Sequence, residues 1–397
     1  MANNQGPLSD IRVIELGQLI GGPFCGQLLG DMGADVIKVE PPKIGDPMRN
    51  WGQGEVKLWW EVVARNKRCV SADLRRKEGQ DLVRRLILEA DILLENFRPG
   101  TLEKWNLDPV ELRKLNPRLI VIRVSGYGQY GPYSERPGFG GVGEALAGLR
   151  YVVGEPDRPP SRAGISIGDS LAASYGCMGA LAALHHREKT GEGQVIDVAL
   201  YEAVLQVMES LIPDYQISGL IRERSGAILP GVAPSNVYPC SDSDYMIAGN
   251  QDTIFRRLCT AMGQPELADD PRFVDHISRG RNQKELDDII SNWTRTLPAK
   301  RVEELMIEHA VPGGPVYRAP EMLADPHFAE REAIIEVQSE RFGPLKMQNC
   351  FPKFSGTPTR VRAPAAAKIG QHNVEVYGEL LGLSDDELSK LASDGLI

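Results

Sequence analysis

Strands and helices alternate along the first third of this chain in an order that favours a parallel sheet. Residues 11–16, Ile-Arg-Val-Ile-Glu-Leu, read as a short strand rich in β-branched residues. A glycine-rich turn follows from Gly17 to Pro23, then a helix through Gln27-Leu28-Leu29 and a second strand at Asp35–Glu40. That is a βαβ unit with glycines at the strand-to-helix turn. The pattern recurs: Cys69–Leu74 reads as strand, Glu78–Glu89 as helix, Asp91–Leu94 as strand and Arg118–Val124 as a buried strand. Parallel neighbours need a crossover connection, usually a helix, so this alternation predicts a largely parallel sheet covered by helices.

Beyond it, residues 130–165 are rich in glycine and proline and read as loop with one short helix. A long apolar helix begins near Leu171, runs to about His186 and ends at Lys189-Thr190-Gly191-Glu192-Gly193, where glycine stops it. Strand Gln194–Val198 and helix Leu200–Ser218 follow, and near 225 the composition becomes more polar. The fold class is therefore α/β: a Rossmann-like parallel-sheet large domain begun by 1–224, a smaller α+β domain over 225–325, and a return segment, 326–397, completing the large domain. A length of 397 residues suits that division.

Net charge is −9 and the pI about 5.4, so a nucleic-acid partner has no electrostatic footprint. Basic clusters at Asn66-Lys67-Arg68 and Arg75-Arg76-Lys77 are local exceptions in an acidic chain. The six cysteines are scattered without a C-x-x-C pair, the histidines lack metal-ligand spacing, and no apolar run reaches membrane-spanning length. The opening Met-Ala-Asn-Asn-Gln-Gly carries no leader pattern. The expectation is a cytoplasmic protein with reduced thiols, no metal, no permanently bound cofactor, and no membrane or nucleic-acid partner.

Four motifs compete for the chemistry. Gly168-Asp169 opens the long apolar helix, where unpaired amides and the helix dipole stabilise a carboxylate. Asp169 is then either an ordinary cap or a nucleophile toward an activated acyl group. Gly164-Ile165-Ser166-Ile167-Gly168 fits G-x-S-x-G, with His372 as a candidate base, but a nucleophile elbow must leave a buried strand, and Asp157-Arg158-Pro159-Pro160 cannot be one. Gly138-Phe139-Gly140-Gly141-Val142-Gly143 fits G-x-G-x-x-G, yet Pro137 precedes it where a strand is required. The turn with Gly17, Gly21, Gly22 and Gly26 could approach a phosphate, and Glu40 ends the second strand where a ribose-binding acid would sit.

The order and spacing of a longer series resembles the class III CoA-transferases, the formyl-CoA transferase family that also contains acyl-CoA racemases. The series runs through 8–16 (Leu-Ser-Asp-Ile-Arg-Val-Ile-Glu-Leu), Gly22-Pro23, 29–40, Gly45-Asp46-Pro47, Asn66-Lys67-Arg68 and Glu95–Gly100. It continues through Gly126-Tyr127-Gly128, Gly168-Asp169, Lys189–Gln194 and Gly370-Gln371-His372. The resemblance implies that Asp169 is the nucleophile, forming a mixed anhydride with the acyl group and then an aspartyl-CoA thioester. It implies CoA contacts from the turn Leu19, Ile20 and Gly21, from Ala72 and Arg75 near the nucleotide end, from Asn96, Phe97 and Arg98, and from Lys104. It also implies an interlocked homodimer, with acyl-CoA and a small carboxylic acid as substrates.

Three departures narrow the activity. Formyl-CoA transferases carry glutamine at the position of Ile20 and a tetraglycine loop, and both are missing here; Pro230-Gly231-Val232-Ala233-Pro234 holds no such loop. The racemase branch places a histidine where this chain has Phe139. CoA transfer between carboxylic acids remains, with succinyl-CoA or another dicarboxylyl-CoA as donor and Arg49, Arg65 or Arg162 as a clamp for its distal carboxylate. An acyl-CoA racemase, a Ser166 hydrolase and a non-catalytic acyl-CoA-binding protein are the alternatives.

Overall fold

A computed structural model describes residues 6–397. Contacts divide the described residues into two compact units, one of residues 6–149, 163–210 and 330–397, the other of residues 150–162 and 211–329. The second unit thus begins at Leu211, earlier than the change in composition near 225, and takes in 150–162 as well.

The first unit is built on six parallel strands: β1 (Arg12–Glu15), β2 (Asp35–Glu40), β3 (Lys67–Ser71), β4 (Ile92–Glu95), β5 (Ile120–Ser125) and β6 (Val195–Ala199). Their order is β3-β2-β1-β4-β5-β6, and every pairing is parallel. Successive side chains go to opposite faces, as strand geometry requires. Val13, Val36, Ile92, Ile120 and Ile122 enter one apolar cluster; Ile14, Ile37, Leu93 and Val121 enter the other. A sheet buried on both faces needs such near-continuous apolar runs, which is why the strands were legible.

Among the covering helices are α1 (Gly21–Asp31), α2 (Lys77–Leu88), α3 (Gly140–Leu146) and α4 (Ile167–Thr190). Pro23 sits in the first turn of α1, where its missing amide proton forfeits no helical bond. Helix α4 packs a face of small residues against α1 and β5. A β-carbon on Gly176 would stand 3.4 Å from Ile122 Cγ2 and 3.5 Å from Cys25 Sγ. It stops at Gly191, left-handed at φ 80, whose amide returns to the Arg187 carbonyl. Contrary to the sequence reading, α4 is long and apolar enough, by length and composition, to cross a membrane. Here Ala172, Ala173, Ala180 and Ala183 on it are fully buried in the core.

The expected helix 200–218 is two helices, Leu200–Leu205 and Leu211–Ser218, and Glu209 between them takes a left-handed φ of 55. β3 also starts and ends earlier than read, because its pairing is set by Val36–Glu40 of β2. From the last stretch, an antiparallel hairpin (Ile334–Ser339 with Gly343–Gln348) leads to helices Asn373–Leu381 and Asp385–Ser393. Val376, Tyr377 and Leu388 from these helices join the second apolar cluster.

The second unit is α+β. Ser235–Pro239, Asp244–Ala248 and Gly313–Pro315 form an antiparallel three-stranded sheet. Helices Asp252–Ala261, Gln283–Thr294 and Ala299–Glu308 cover it, with Tyr238, Ile247, Phe255, Leu258, Leu286 and Val302 in the core.

Candidate active site

Strand order reverses between β1 and β4, the neighbours at the middle of the first sheet. Connections leave such a pair in opposite directions and open a crevice at the carboxyl ends of the strands, where open α/β sheets bind ligands. The turn Gly17–Ile20 leaves β1 there and Asn96 follows β4, so two segments distant in sequence meet. Asn96 Oδ1 accepts from the Gln18 amide at 2.7 Å, and its Nδ2 donates to the Gln18 carbonyl at 2.8 Å.

The turn is held from below by buried charges. Leu19 adopts φ 63, a left-handed conformation that costs a branched side chain about 1–2 kcal/mol. Its amide donates to Asp46 Oδ1 at 3.1 Å. Asp46 Oδ2 pairs with Lys38 Nζ at 2.7 Å, and that ammonium also donates to the Gly17 carbonyl and to Glu15. Lys67 reaches Glu15 and the Pro23 carbonyl. Burial alone would lower the Lys38 pKa, but the Asp46 and Glu15 carboxylates outweigh it and hold it above the ordinary lysine value. Burial would raise Asp46, and Lys38 with the amides of Met48 and Leu19 brings it below its ordinary value. Lys67 is lowered, burial winning over Glu15. Removing one member would strand a buried charge, so the cluster holds as a unit.

Asp169 lies in the first turn of α4, with Ser166 rather than Asp169 at the N-cap. Its carboxylate fills the space beside two glycines. A β-carbon on Gly21 would stand 3.6 Å from Oδ1, and one on Gly140 would stand 2.7 Å from Cγ. Asp169 is in the first turn of α4 and Gly21 opens α1, so the positive ends of two helix dipoles lie near this carboxylate. Buried Glu144 of α3 accepts from the Gly168 amide at 3.4 Å, tying α3 to the start of α4. A carboxylate at a helix start is a group able to act as a nucleophile toward an activated acyl carbon.

Leu19, Ile20, Gly21, Asn96 and Asp169 are brought together. Ala72 is buried beyond β3, and its amide donates to the Glu40 carbonyl. Arg75, also beyond β3, is 81% exposed and paired with Asp73. β3 lies three strands from β4, about 14 Å along the same edge. Phe97 stacks edge-on against Trp105, while Arg98 and Lys104 are exposed. Behind them Glu95 is buried against Arg123 and accepts from the Phe97 amide; burial pushes its carboxyl up to about 7, although Arg123 opposes it.

Several sequence candidates are otherwise engaged. Glu40 does not face a ribose: it binds Arg49 through both oxygens and accepts from the Asp46 amide. Arg49 also donates to the Ala366 carbonyl and stacks over Trp60, and Arg65 is bidentate to Asp31, so neither is left for a substrate carboxylate. Arg162 falls in the second unit. No strand leads into Ser166, and α4 packs on β5 and β6. His372 accepts from the Cys69 amide on β3, about 19 Å of sheet from β5, which removes the serine-hydrolase reading. Gly138–Gly143 likewise follows no strand; Gly140 opens α3.

Three contributors escaped the sequence reading: Gly140, which lies in the glycine-rich stretch read as loop, and Asp46 with Lys38. Gly45-Asp46-Pro47 was visible only as one motif in the series. A lysine in a predicted strand gives no local sign that it is buried.

Residues 8–373 match the CoA-transferase family III. The succinyl-CoA–D-citramalate CoA-transferase of Chloroflexus aurantiacus is 56% identical over 395 residues, 98% of each chain. The succinyl-CoA–L-malate CoA-transferase beta subunit of the same organism is 40% identical over 398 residues, again 98% of each. A crystal structure of a CAIB/BAIF family protein from Brucella suis is similar with a TM-score of 0.83 at 34% identity, covering 94% of this chain and 99% of that one. Nearly the whole chain takes part in these likenesses, and it therefore belongs to the class III CoA-transferases.

Proposed function

We propose that this enzyme moves CoA from succinyl-CoA, or another dicarboxylyl-CoA, to a small dicarboxylic acid, with Asp169 as the covalent carrier. The Asp169 carboxylate, seated between Gly21 and Gly140 at the start of α4, carries this reading. The names of the relatives, which pair succinyl-CoA with D-citramalate or L-malate, support the substrate class.

In the first step an Asp169 oxygen attacks the thioester carbonyl carbon, the C–S bond breaks, and CoA leaves as thiolate. The product is an aspartyl acyl anhydride. The thiolate then attacks the Asp169 carbonyl, releasing the donor carboxylate and leaving an aspartyl-CoA thioester. The acceptor carboxylate attacks that thioester, expelling thiolate and forming a second anhydride. Thiolate attack on the acceptor acyl carbon yields the new acyl-CoA and restores Asp169. Every step exchanges an anionic nucleophile for an anionic leaving group, so no proton has to be transferred, and covalent catalysis divides one exchange into easier ones. First-turn amides of α1 are suited to hold the developing oxyanion. CoA is a substrate here rather than a resident cofactor.

The test is mass spectrometry after incubation with a panel of acyl-CoAs and borohydride or hydroxylamine trapping. A modified Asp169, labelled best by succinyl-CoA, is expected. Tight CoA binding without an adduct for any donor would overturn the reading. Asp169→Ala is expected to abolish transfer, by about 10³-fold or more, while leaving CoA binding intact.

We also propose the interlocked homodimer of the family. Exposed apolar residues on α4, Met178 and Leu181, and on helix 211–218, Ile212, Tyr215 and Ile217, support it. Light scattering is expected to give a dimer mass at micromolar concentration.

A further inference from the structure

We propose that Asp46 is a positioning residue for acyl transfer: anchored by Lys38, it locks Leu19 in a left-handed conformation and so sets the start of α1 against the Asp169 carboxylate. The inference rests on the covalent role of Asp169 proposed above.

Asp46 lies on the chain after β2, 27 residues beyond Leu19. Its carboxylate nevertheless meets the turn at its most unfavourable residue. Oδ1 accepts from the Leu19 amide at 3.1 Å and from the Met48 amide at 2.8 Å, and Oδ2 faces Lys38 Nζ at 2.7 Å. Lys38 completes the clamp by donating to the Gly17 carbonyl at 2.7 Å. Asp46, Lys38 and Glu15 are all at most 1% exposed, so water does not weaken these contacts.

The turn so clamped has little freedom. Gln18 is fixed on both sides of its backbone by Asn96, and Gly17 and Leu19 are fixed by Lys38 and Asp46. Ile20, the N-cap of α1, and Gly21, which lines the Asp169 carboxylate, come next. A leucine at φ 63 returns to the ordinary region once nothing holds its amide. The rotation swings the following peptide units, and with them Gly21 beside the Asp169 carboxylate. Backbone strain kept by surrounding structure beside a reacting group is a recognised way of presenting backbone donors. Asp46 thus acts through Leu19 and is not itself a catalytic residue.

The experiment is single-turnover acylation of Asp169 by succinyl-CoA in the full-length enzyme, trapped with hydroxylamine and read by mass spectrometry. Asp46→Ala is expected to slow acylation roughly 10- to 100-fold, the scale of a small misplacement, with KM for succinyl-CoA changed far less. Adding Leu19→Gly to that variant is expected to recover most of the rate, because glycine adopts a left-handed φ without penalty. A merely structural Asp46 would show no such rescue. If Asp46→Ala does not fold, Leu19→Asn and Leu19→Val put the same question without touching the buried charges. Asparagine tolerates the left-handed region and valine resists it, so the valine variant is expected to be the slower. Unchanged acylation in Asp46→Ala, no rescue by Leu19→Gly, or equal rates for the Leu19 pair would overturn the assignment. Absence of an Asp169 adduct in the wild-type enzyme would instead overturn the covalent reading beneath it.

Discussion

Gly140 leaves empty the space that the Asp169 carboxylate occupies: a β-carbon there would overlap Oδ2 and stand 2.7 Å from Cγ. The two residues sit on different helices, α3 and α4, and their closeness fixes where the carboxylate can point. Gly168 repeats the constraint from the other side, since its β-carbon would lie 2.9 Å from the Gly140 carbonyl.

Gly140→Ala follows directly from that contact. Alanine is the better helix former, so propensity alone would stabilise α3 by about 0.5–1 kcal/mol. The methyl must instead turn the Asp169 side chain away. Transfer is expected to fall about 100-fold while thermal stability changes little, measured by kcat and by the melting midpoint. Full activity with raised stability would mean that Asp169 does not react from this rotamer.

Arg49 separates scaffold from substrate recognition. Arg49→Met leaves Glu40 buried without its partner, a loss of about 3 kcal/mol in urea unfolding. KM for succinyl-CoA in the folded variant is expected to stay within about twofold. A rise of tenfold or more at intact stability would restore Arg49 as the carboxylate clamp.

Arg98 and Arg75 are expected to differ toward the CoA phosphates. Arg75 already holds Asp73 through Nε and Nη2, so a phosphate must compete with a fixed carboxylate. Arg98→Ala should raise KM for acyl-CoA about tenfold with kcat nearly unchanged, and Arg75→Ala about threefold or less. Both effects should shrink as salt is raised. Steady-state kinetics at two ionic strengths read both.

Glu95 gives a pH dependence of defined sign. Burial raises its carboxyl from 4.5 to about 7, against the pull of Arg123. Between those values the folded state holds the extra proton. The stability so contributed is fully present below the unfolded value and is lost as pH rises through about 7. Glu95→Gln keeps an acceptor for the Phe97 amide and removes the titration. The melting midpoint of the variant should gain on that of the wild type from pH 5 to pH 8. A difference in midpoint that stays flat over that range would place Glu95 ionised in the fold throughout.

Much of the sheet was legible because its strands are buried on both faces. Val13-Ile14, Ile92-Leu93-Leu94 and Ile120-Val121-Ile122 need apolar side chains in succession, and that demand is written locally. The break at 206–210 was not legible, since Gln206-Val207-Met208-Glu209-Ser210 contains no breaker and the left-handed Glu209 sits where the contacts pass from one unit to the other. Arg49 and Arg65 look like free cations in sequence, and only their contacts with Glu40 and Asp31 reveal them as scaffold.

By itself the sequence determined the parallel alternation, the glycine turn after the first strand, and a carboxylate at the start of a long helix. Each depends on side-chain periodicity or backbone freedom within a few residues. Tertiary structure alone decided the strand order that puts Asn96 beside Gln18, the seat of Asp169 against Gly21 and Gly140, and the burial of Lys38 with Asp46. Those relations join residues far apart in the chain. Their energies come from exclusion of water and close packing, and neither exists until the sheet has assembled.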